Sequence, residues 1–215
     1  MDLGLTDRVF LVTAASAGLG RASAEQLVAE GARVVLVARR ADVLDDVVAD
    51  LGSANAIALA ADLADPDTAA AAAQLAIRTF GRLDGALISV GGPPPGSVLA
   101  NSDEQWLATF ESVFLAALRA VRAVLAAASG PASIGVVLST SAKVPIPGLA
   151  ISNGLRPGLA MLIKQLADEV GPDGHRVFGL MPGTVLTERI RLVHGRSDDP
   201  TAARKDAEAR IPLRR

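Results

Sequence analysis

The fold is decided by residues 13–20, Thr13-Ala14-Ala15-Ser16-Ala17-Gly18-Leu19-Gly20. This stretch follows the β-branched run RVFLVT at 8–13 and leads into an amphipathic segment at 18–31. A strand that passes into a helix through closely spaced glycines is typical of the first turn of a strand–helix–strand unit. Small residues there let the backbone approach a pyrophosphate, and the start of the helix offers N–H groups to it. The stretch therefore predicts a dinucleotide site that includes Thr13, Ser16, Gly18, Leu19 and Gly20; the alternative is a tight turn without a ligand.

Beyond this turn, short apolar runs alternate with longer amphipathic segments. We expect strands at 8–13, 33–38, 55–60, 83–90, 132–140 and 176–181. We expect helices at 18–31, 41–51, 66–81, 102–128 and 149–170. Asp65 and Ser102 are the expected N-caps of the third and fourth helices. This alternation predicts an α/β fold with a doubly wound parallel sheet, which is a Rossmann-type three-layer sandwich.

Composition and charge exclude several other classes of protein. Half of the 215 residues are hydrophobic and 20% are charged, which provides a substantial core and excludes a disordered chain. The net charge of −2 and the lack of a long basic run argue against a nucleic-acid partner. No run reaches 18 apolar residues, and Asp2 lies where a signal peptide carries basic residues, so we expect a cytoplasmic protein without a membrane partner. Cysteine and tyrosine are both absent, so neither a thiol nor a phenol takes part in the chemistry.

The end of the second predicted strand indicates which dinucleotide is preferred. NAD-binding chains usually carry an acidic residue there, which bonds the ribose 2′-hydroxyl. This chain instead carries Arg39 and Arg40, whose guanidinium groups match a 2′-phosphate. We therefore expect NADP(H) in preference to NAD(H), with Arg39 as the leading contact; the alternative is a solvated helix start. Asp62 and Leu63 follow the third strand, where the adenine is expected.

These residues together resemble the short-chain dehydrogenase/reductase family over nearly the whole chain. The family's Thr-Gly-x-x-x-Gly-x-Gly motif matches at Thr13, Gly18 and Gly20, but Ala14 replaces its first glycine. The resemblance implies further cofactor contacts in three short motifs. They are the pair Asp62-Leu63, the sequence Ser89-Val90-Gly91-Gly92 after the fourth strand, and the complete Pro182-Gly183-x-x-x-Thr187 motif after the sixth.

The resemblance also implies where the catalytic residues belong, and three of the four are replaced. The family uses asparagine, serine, tyrosine and lysine. The serine position is retained as Ser139, whereas Val113, Ser152 and Arg156 stand at the asparagine, tyrosine and lysine positions. The chain thus resembles a divergent subgroup that lacks the Tyr-x-x-x-Lys motif and is often labelled 3-oxoacyl carrier-protein reductase. That substrate is not carried over, because the residues that justify it are missing.

A different proton donor is needed if this chain reduces a carbonyl group. The Ser152 hydroxyl is a far weaker acid than a phenol, while Arg156 retains donors for the nicotinamide ribose. Our hypothesis is that Lys143 supplies the proton and that Ser139 and Ser141 orient a small carbonyl or alcohol substrate. The alternative for Lys143 is a solvated loop lysine. The alternative for the chain is a non-catalytic protein of the same fold that binds the cofactor or serves as a scaffold.

The remaining expectations concern the end of the chain and its assembly. We interpret 1–215 as a single NAD(P)-binding Rossmann domain in which 187–210, with His194, forms a substrate lid. The resemblance implies that a further helix and strand would follow 211–215, so the C-terminal strand and helix are expected to be missing. It also implies pairing through the helices at 102–128 and 149–170, and hence a homodimer or homotetramer. We expect His175 to be a turn residue and Trp106 to be a packing residue.

Overall fold

The computed structural model describes every residue except 189, 192–194, 196–198, 210 and 215. The chain folds as two compact units, Met1–Met181 and Pro182–Arg215. The first unit, which is described in full, contains the whole predicted sheet. The described part of the second unit includes a helix at Pro200–Ala209. Part of the expected lid at 187–210, including His194, lies outside the described residues.

The first unit is built on a six-stranded parallel sheet, as the sequence predicts. Its strands are β1 (Val9–Thr13), β2 (Arg33–Ala38), β3 (Ala56–Ala60), β4 (Gly85–Ile88), β5 (Ser133–Val137) and β6 (Arg176–Leu180). Their order is β3-β2-β1-β4-β5-β6, and every neighbouring pair is parallel. The order reverses between β1 and β4, and ligands of such sheets bind outside the carboxyl ends of the strands at that switch point.

The helices that connect the strands in the first unit follow the predicted segments, with one interruption. They are α1 (Gly18–Ala29), α2 (Ala41–Leu51), α3 (Thr68–Phe80), α4 (Asp103–Thr109), α5 (Ala116–Ala127) and α6 (Ala150–Val170). The helix expected over 102–128 is interrupted by a π-helical segment at Phe110–Leu115. Ser102 is confirmed as an N-cap: its hydroxyl accepts the Gln105 N–H, and the Gln105 side chain accepts the Ser102 N–H.

The prediction that Asp65 caps the third helix is wrong. The Asp65 carboxylate accepts the Asp67 N–H at 3.0 Å, within a turn that precedes the helix. The first helical residue is Thr68, and the Asp67 side chain makes no capping bond to it. Because the Asp65 carboxylate is bonded within this local turn, it does not cap the N–H groups of the first helical turn.

Both faces of the sheet are buried, which is why its strands are nearly all apolar. Along β1, Leu11 faces one cluster of buried side chains, covered by α3, α5 and α6, and Val12 faces the other, covered by α1 and α2. Alanines form much of the first cluster. The alanines of this cluster that lie on α3 and α5 and are 1% exposed or less are Ala72, Ala73, Ala76, Ala117 and Ala120. Their small side chains let the two helices lie close together and close to the sheet.

The amino ends of the strands are joined by a buried carboxylate. Asp84, whose side chain is 8% exposed, accepts the Val9 N–H at 2.9 Å and guanidinium N–H groups of Arg8 and Arg82 at 2.6 to 2.8 Å. Burial alone would raise the pKa of Asp84, but the hydrogen bonds from Arg82, Val9 and Arg8 outweigh it and hold the pKa below the usual range. This edge therefore has a structural role, opposite the edge where a ligand is expected. No helix among the described residues has the length and hydropathy needed to cross a membrane.

Candidate functional site

The first turn has the geometry of a phosphate cradle. A Cβ atom on Gly20 would lie 2.5 Å from the Ala14 carbonyl oxygen and 2.8 Å from that of Thr13, so only glycine lets α1 begin this close to β1. Ala14 adopts a left-handed conformation, with φ of +51°. The N-cap residue Ala17 has only a methyl group and so cannot cap the N–H groups of Gly18, Leu19 and Gly20. These groups fit a diphosphate, and the residues present therefore fit the implied dinucleotide.

The Thr13 side chain anchors the start of this turn to the neighbouring strand connection. Its hydroxyl donates to the Ser89 carbonyl at 2.6 Å and accepts the Ser89 N–H at 2.8 Å, and the residue is fully buried. Both hydrogen bonds join the end of β1 to the segment that follows β4. Thr13 thus holds the end of β1 against the segment after β4 at the switch point of the sheet. Gly91, two residues beyond Ser89, is exposed at the same edge.

The two arginines after β2 are both exposed, but they differ in their contacts. Arg40 donates to the Ser16 hydroxyl at 3.2 Å, so a guanidinium group and a hydroxyl lie together beside the first turn. Sequence reasoning put Arg39 first, whereas the Ser16 contact belongs to Arg40. Asp62 is exposed and its carboxylate accepts the Ala64 N–H at 3.0 Å, while Leu63 packs against the core.

Three of the predicted serines lie where the turn after β5 meets the start of α6. The Ser139 hydroxyl accepts the Ser141 N–H at 3.1 Å and thereby caps a 3-10 turn at Thr140–Ala142. The Ser141 and Ser152 hydroxyl oxygens are 2.9 Å apart, and these residues are 3% and 4% exposed. Ser139 is half-buried, so it has the most accessible hydroxyl of the three.

Arg156 places a positive charge beside these serines. It lies one helical turn after Ser152, is 5% exposed, and donates from Nη1 to the Val137 carbonyl at 2.7 Å. That carbonyl is at the carboxyl end of β5. The structure therefore brings Ser139, Ser141, Ser152 and Arg156 together at one strand end.

Lys143 follows the 3-10 turn and is exposed. Its backbone N–H donates to the Thr140 carbonyl at 2.9 Å. Asn153, which sequence reasoning missed, bonds both backbone groups of Ile146 in the same loop, each at 2.9 Å. The signal that points to Asn153 is its place directly after Ser152, at the start of the helix that meets this loop.

The loop after β4 is tied to the loop after β5. The Gly96 N–H donates to the Gly148 carbonyl at 2.8 Å, and the Ala150 N–H donates to the Gly96 carbonyl at 3.2 Å. The proline-rich stretch at 93–96 and the loop that carries Lys143 thus share one edge of the first unit.

The comparison with protein families decides which family this geometry represents. The family described as short chain dehydrogenase matches residues 8–194, which is most of the chain. This chain belongs to the short-chain dehydrogenase/reductase family. An uncharacterized oxidoreductase of Mycobacterium tuberculosis is 31% identical over an alignment of 216 positions, which covers 98% of this chain and 80% of that protein.

Two solved short-chain dehydrogenase/reductase structures resemble this one closely. L-sorbose reductase from Gluconobacter frateurii, complexed with NADPH and L-sorbose, has a TM-score of 0.93 at 28% identity and covers 100% of this chain and 86% of its own. An apo short-chain oxidoreductase from Pseudomonas aeruginosa, which contains an atypical catalytic center, has a TM-score of 0.83 at 27% identity. That match covers 90% of this chain and 76% of the other.

The helix that carries the family's asparagine position packs tightly on α6. Val113, at that position, is 2% exposed within the π-helical segment and offers no polar group. A Cβ atom on Gly154 would lie 2.7 Å from the Trp106 ring, and Phe114 lies over Gly158. Trp106 is therefore a packing residue, as expected.

The remaining predicted residues lie elsewhere. His175 accepts the Ala132 N–H on Nδ1 at 3.0 Å, which is a structural role in a turn. The family's nicotinamide motif, which is Pro182, Gly183 and Thr187 here, belongs to the second unit. The Thr187 hydroxyl accepts the Ile190 N–H at 3.5 Å. Among the residues that the structure describes, no cluster of His, Asp or Glu could hold a metal ion.

Proposed function

We propose that this chain is an NADP(H)-dependent oxidoreductase of the short-chain type in which Lys143, in place of a tyrosine, exchanges the proton with a small carbonyl or alcohol substrate. The observation that carries the proposal is the set of groups at the carboxyl edge of the sheet. The phosphate cradle follows β1, and the serine cluster and Lys143 follow β5. A cofactor site and a reaction site thus occupy the edge where such sheets bind ligands.

The preference for NADP(H) over NAD(H) is supported by Arg40 and Ser16. A guanidinium group bonded to a hydroxyl presents several N–H donors and one O–H to a 2′-phosphate. Arg39, also exposed, adds a second positive charge beside it. No acid stands at the end of β2 to bond an unmodified ribose.

The chemistry proposed for the residues is a proton transfer coupled to hydride transfer. The nicotinamide, when bound, supplies the hydride that reduces the carbonyl carbon. Ser139 donates a hydrogen bond to the carbonyl oxygen and orients it. The Lys143 ammonium gives that oxygen its proton, so that the alcohol forms and the neutral amine regains a proton from water. The Arg156 guanidinium stabilises the cofactor ribose or the negative charge that develops nearby.

The two solved structures support different parts of this proposal. The Pseudomonas aeruginosa relative is described as having an atypical catalytic center. The Gluconobacter frateurii relative is described as a reductase complexed with NADPH and a sugar. The first, together with Ser152 and Arg156 at the replaced positions of this chain, favours a divergent subgroup that lacks the Tyr-x-x-x-Lys motif, and the second favours an NADPH-dependent reductase.

Two measurements on the unaltered chain test this function. Calorimetric titration with NADPH and with NADH gives both affinities, and we expect NADPH to bind at least tenfold more tightly. Oxidation of NADPH, followed by its absorbance, is then measured against a panel of small aldehydes, ketones and sugars. Turnover of at least one carbonyl compound is expected, and binding of neither cofactor would contradict the proposal.

A second candidate function is a non-catalytic, cofactor-binding protein of the same fold. It is favoured by the buried Ser141–Ser152 pair, because two hydroxyls bonded to each other below the surface offer nothing to a substrate. Tight binding of NADPH without turnover on any compound of the panel would select this function over the first.

Assembly and domain organisation complete the proposal. We expect 1–215 to work as a single NAD(P)-binding domain with a substrate lid at 187–210, in a cytoplasmic protein. We also expect pairing through the helical segments at 102–128 and 149–170 into a homodimer or homotetramer. Between α5 and α6 lies a cavity of about 220 Å³, whose lining is mainly apolar but includes Arg122 and Glu169. Light scattering at micromolar concentration is expected to give a mass of two or four chains, and a monomeric mass would contradict the pairing.

A further inference from the structure

Two consecutive residues of α6 hold both ends of the loop that carries Lys143. At the first end, the Ser152 hydroxyl lies 2.9 Å from the Ser141 hydroxyl. At the second end, the Asn153 side-chain oxygen accepts the Ile146 N–H and its NH₂ group donates to the Ile146 carbonyl, both at 2.9 Å. Lys143 lies between these two attachments.

The segment between the two attachments has little backbone freedom of its own. The N–H groups of Lys143 and Val144 both donate to the Thr140 carbonyl, at 2.9 and 3.1 Å. Pro145 follows and fixes its own φ near −65°. The position of the Lys143 backbone is therefore set by the 3-10 turn on one side and by Ile146 on the other.

The side chains at positions 152 and 153 are suited to attachment. The Ser141–Ser152 pair is buried, and one hydroxyl donates to the other, so neither is presented to solvent. An asparagine amide carries a donor and an acceptor on one planar group, which matches the N–H and carbonyl of a single residue. Aspartate keeps only the acceptor, and alanine keeps neither.

We propose that Ser152 and Asn153 form a clamp that positions Lys143, so that the residue at the family's tyrosine position is a positioning residue here. The inference rests on the proposed function, since it takes Lys143 as the proton donor. An exposed lysine on a loose loop samples many positions. Fixing its backbone at two points raises the fraction of time in which the ammonium lies at the reacting oxygen.

Hydrogen exchange tests the clamp without any reaction. The variants are Asn153→Ala and Asn153→Asp, and the matched control is Asn55→Ala. Asn55 bonds the Leu51 carbonyl at 3.1 Å, at the opposite edge of the sheet. Loss of the acceptor oxygen is expected to speed exchange of the Ile146 N–H at least about tenfold in Asn153→Ala. The increase is expected to be much smaller in Asn153→Asp, which keeps an acceptor for that N–H, and absent in the control. Unchanged exchange at Ile146 would overturn the clamp.

A double-mutant cycle tests whether the clamp acts through Lys143. Asn153→Ala is expected to lower kcat by about 10-fold to 100-fold while the Kd for NADPH changes less than about twofold. In the Lys143→Met background the same substitution is expected to cause no further loss. Equal losses in both backgrounds, or no loss in either, would overturn the positioning role.

The two proposals fail in different ways. If Lys143→Met alone leaves turnover unchanged, the proton donor named in the proposed function is wrong, and this comparison involves no change at Asn153. If Lys143→Met abolishes turnover but Asn153→Ala does not affect it, the clamp is wrong and the proposed donor stands. Absence of turnover in the unaltered chain contradicts the proposed function and the positioning role together, while the exchange result still decides whether the loop is held.

Discussion

Substitution of Arg40 by alanine tests the cofactor preference most sharply. Arg40 is exposed and donates to Ser16 at 3.2 Å, so a bound 2′-phosphate would gain one or two charge-assisted hydrogen bonds from it. Such a bond contributes about 1.5–3 kcal/mol, and two unit charges 4 Å apart in water attract by about 1 kcal/mol. Because the site is open to solvent, we take the lower part of this range, about 1.5–2 kcal/mol. Arg40→Ala should therefore weaken NADPH binding by about 10-fold to 30-fold.

The same substitution should change NADH binding less than about threefold, because NADH carries no 2′-phosphate. Calorimetric titration of each variant with both cofactors measures the two affinities. Arg78→Ala is the matched control, since Arg78 is an exposed arginine in the last turn of α3, at the opposite edge of the sheet. Equal weakening of NADPH and NADH by Arg40→Ala, or no weakening of either, would refute the reasoning.

Three further predictions concern stability. Ala14→Gly should raise Tm by up to about 3 °C, because Ala14 is held in a left-handed conformation that costs an L-residue about 1–2 kcal/mol; a lower Tm in a thermal melt would contradict this. Gly154→Ala should destabilise the fold by about 1–3 kcal/mol, because the new methyl group would lie 2.7 Å from the Trp106 ring. It should also shift the fluorescence emission of Trp106, the chain's single tryptophan. Unchanged urea unfolding and unchanged emission would contradict this packing. Asp84→Asn should cost about 3 kcal/mol at pH 7 in urea unfolding. The pKa of Asp84 is lowered in the folded state, so its contribution to the free energy of unfolding is present above the ordinary carboxyl pKa near 4 and is lost as the pH falls through the folded pKa. The difference in the free energy of unfolding between the unaltered chain and Asp84→Asn should therefore decrease in acid. A difference that does not change with pH would contradict the assignment.

Much of the fold could be predicted because its signals are local. The run at 33–38 and the amphipathic segment at 41–51 have the same bounds in the sequence analysis and in the structure. The strand expected at 83–90 is shorter, Gly85–Ile88, because the backbone of Ser89 leaves the strand pairing and bonds to the Thr13 hydroxyl. The π-helical segment was missed because its apolar residues have the same spacing as those of an α-helix.

The candidate site could be predicted only in part, because its contacts join residues far apart in sequence. The glycine motif indicated the phosphate cradle, since that signal lies within eight residues. The contact of Arg40 with Ser16 depends on how the start of α2 turns its side chains toward α1, and two adjacent arginines do not reveal that. Asn153 was missed because its partner, Ile146, carries no side-chain signal: the bonds are made to its backbone.

The central claim is that this chain reduces a carbonyl group with Lys143 as the proton donor. The most direct test is the single-turnover rate of NADPH oxidation on the best substrate of the panel, for the unaltered chain, Lys143→Met and the matched control Lys164→Met. Lys164 is an exposed lysine of α6, beyond the clamp. A proton donor contributes about 10²-fold to 10⁴-fold to a rate, so Lys143→Met should lower the rate at least about 100-fold and Lys164→Met less than twofold. An unchanged rate in Lys143→Met would contradict the account.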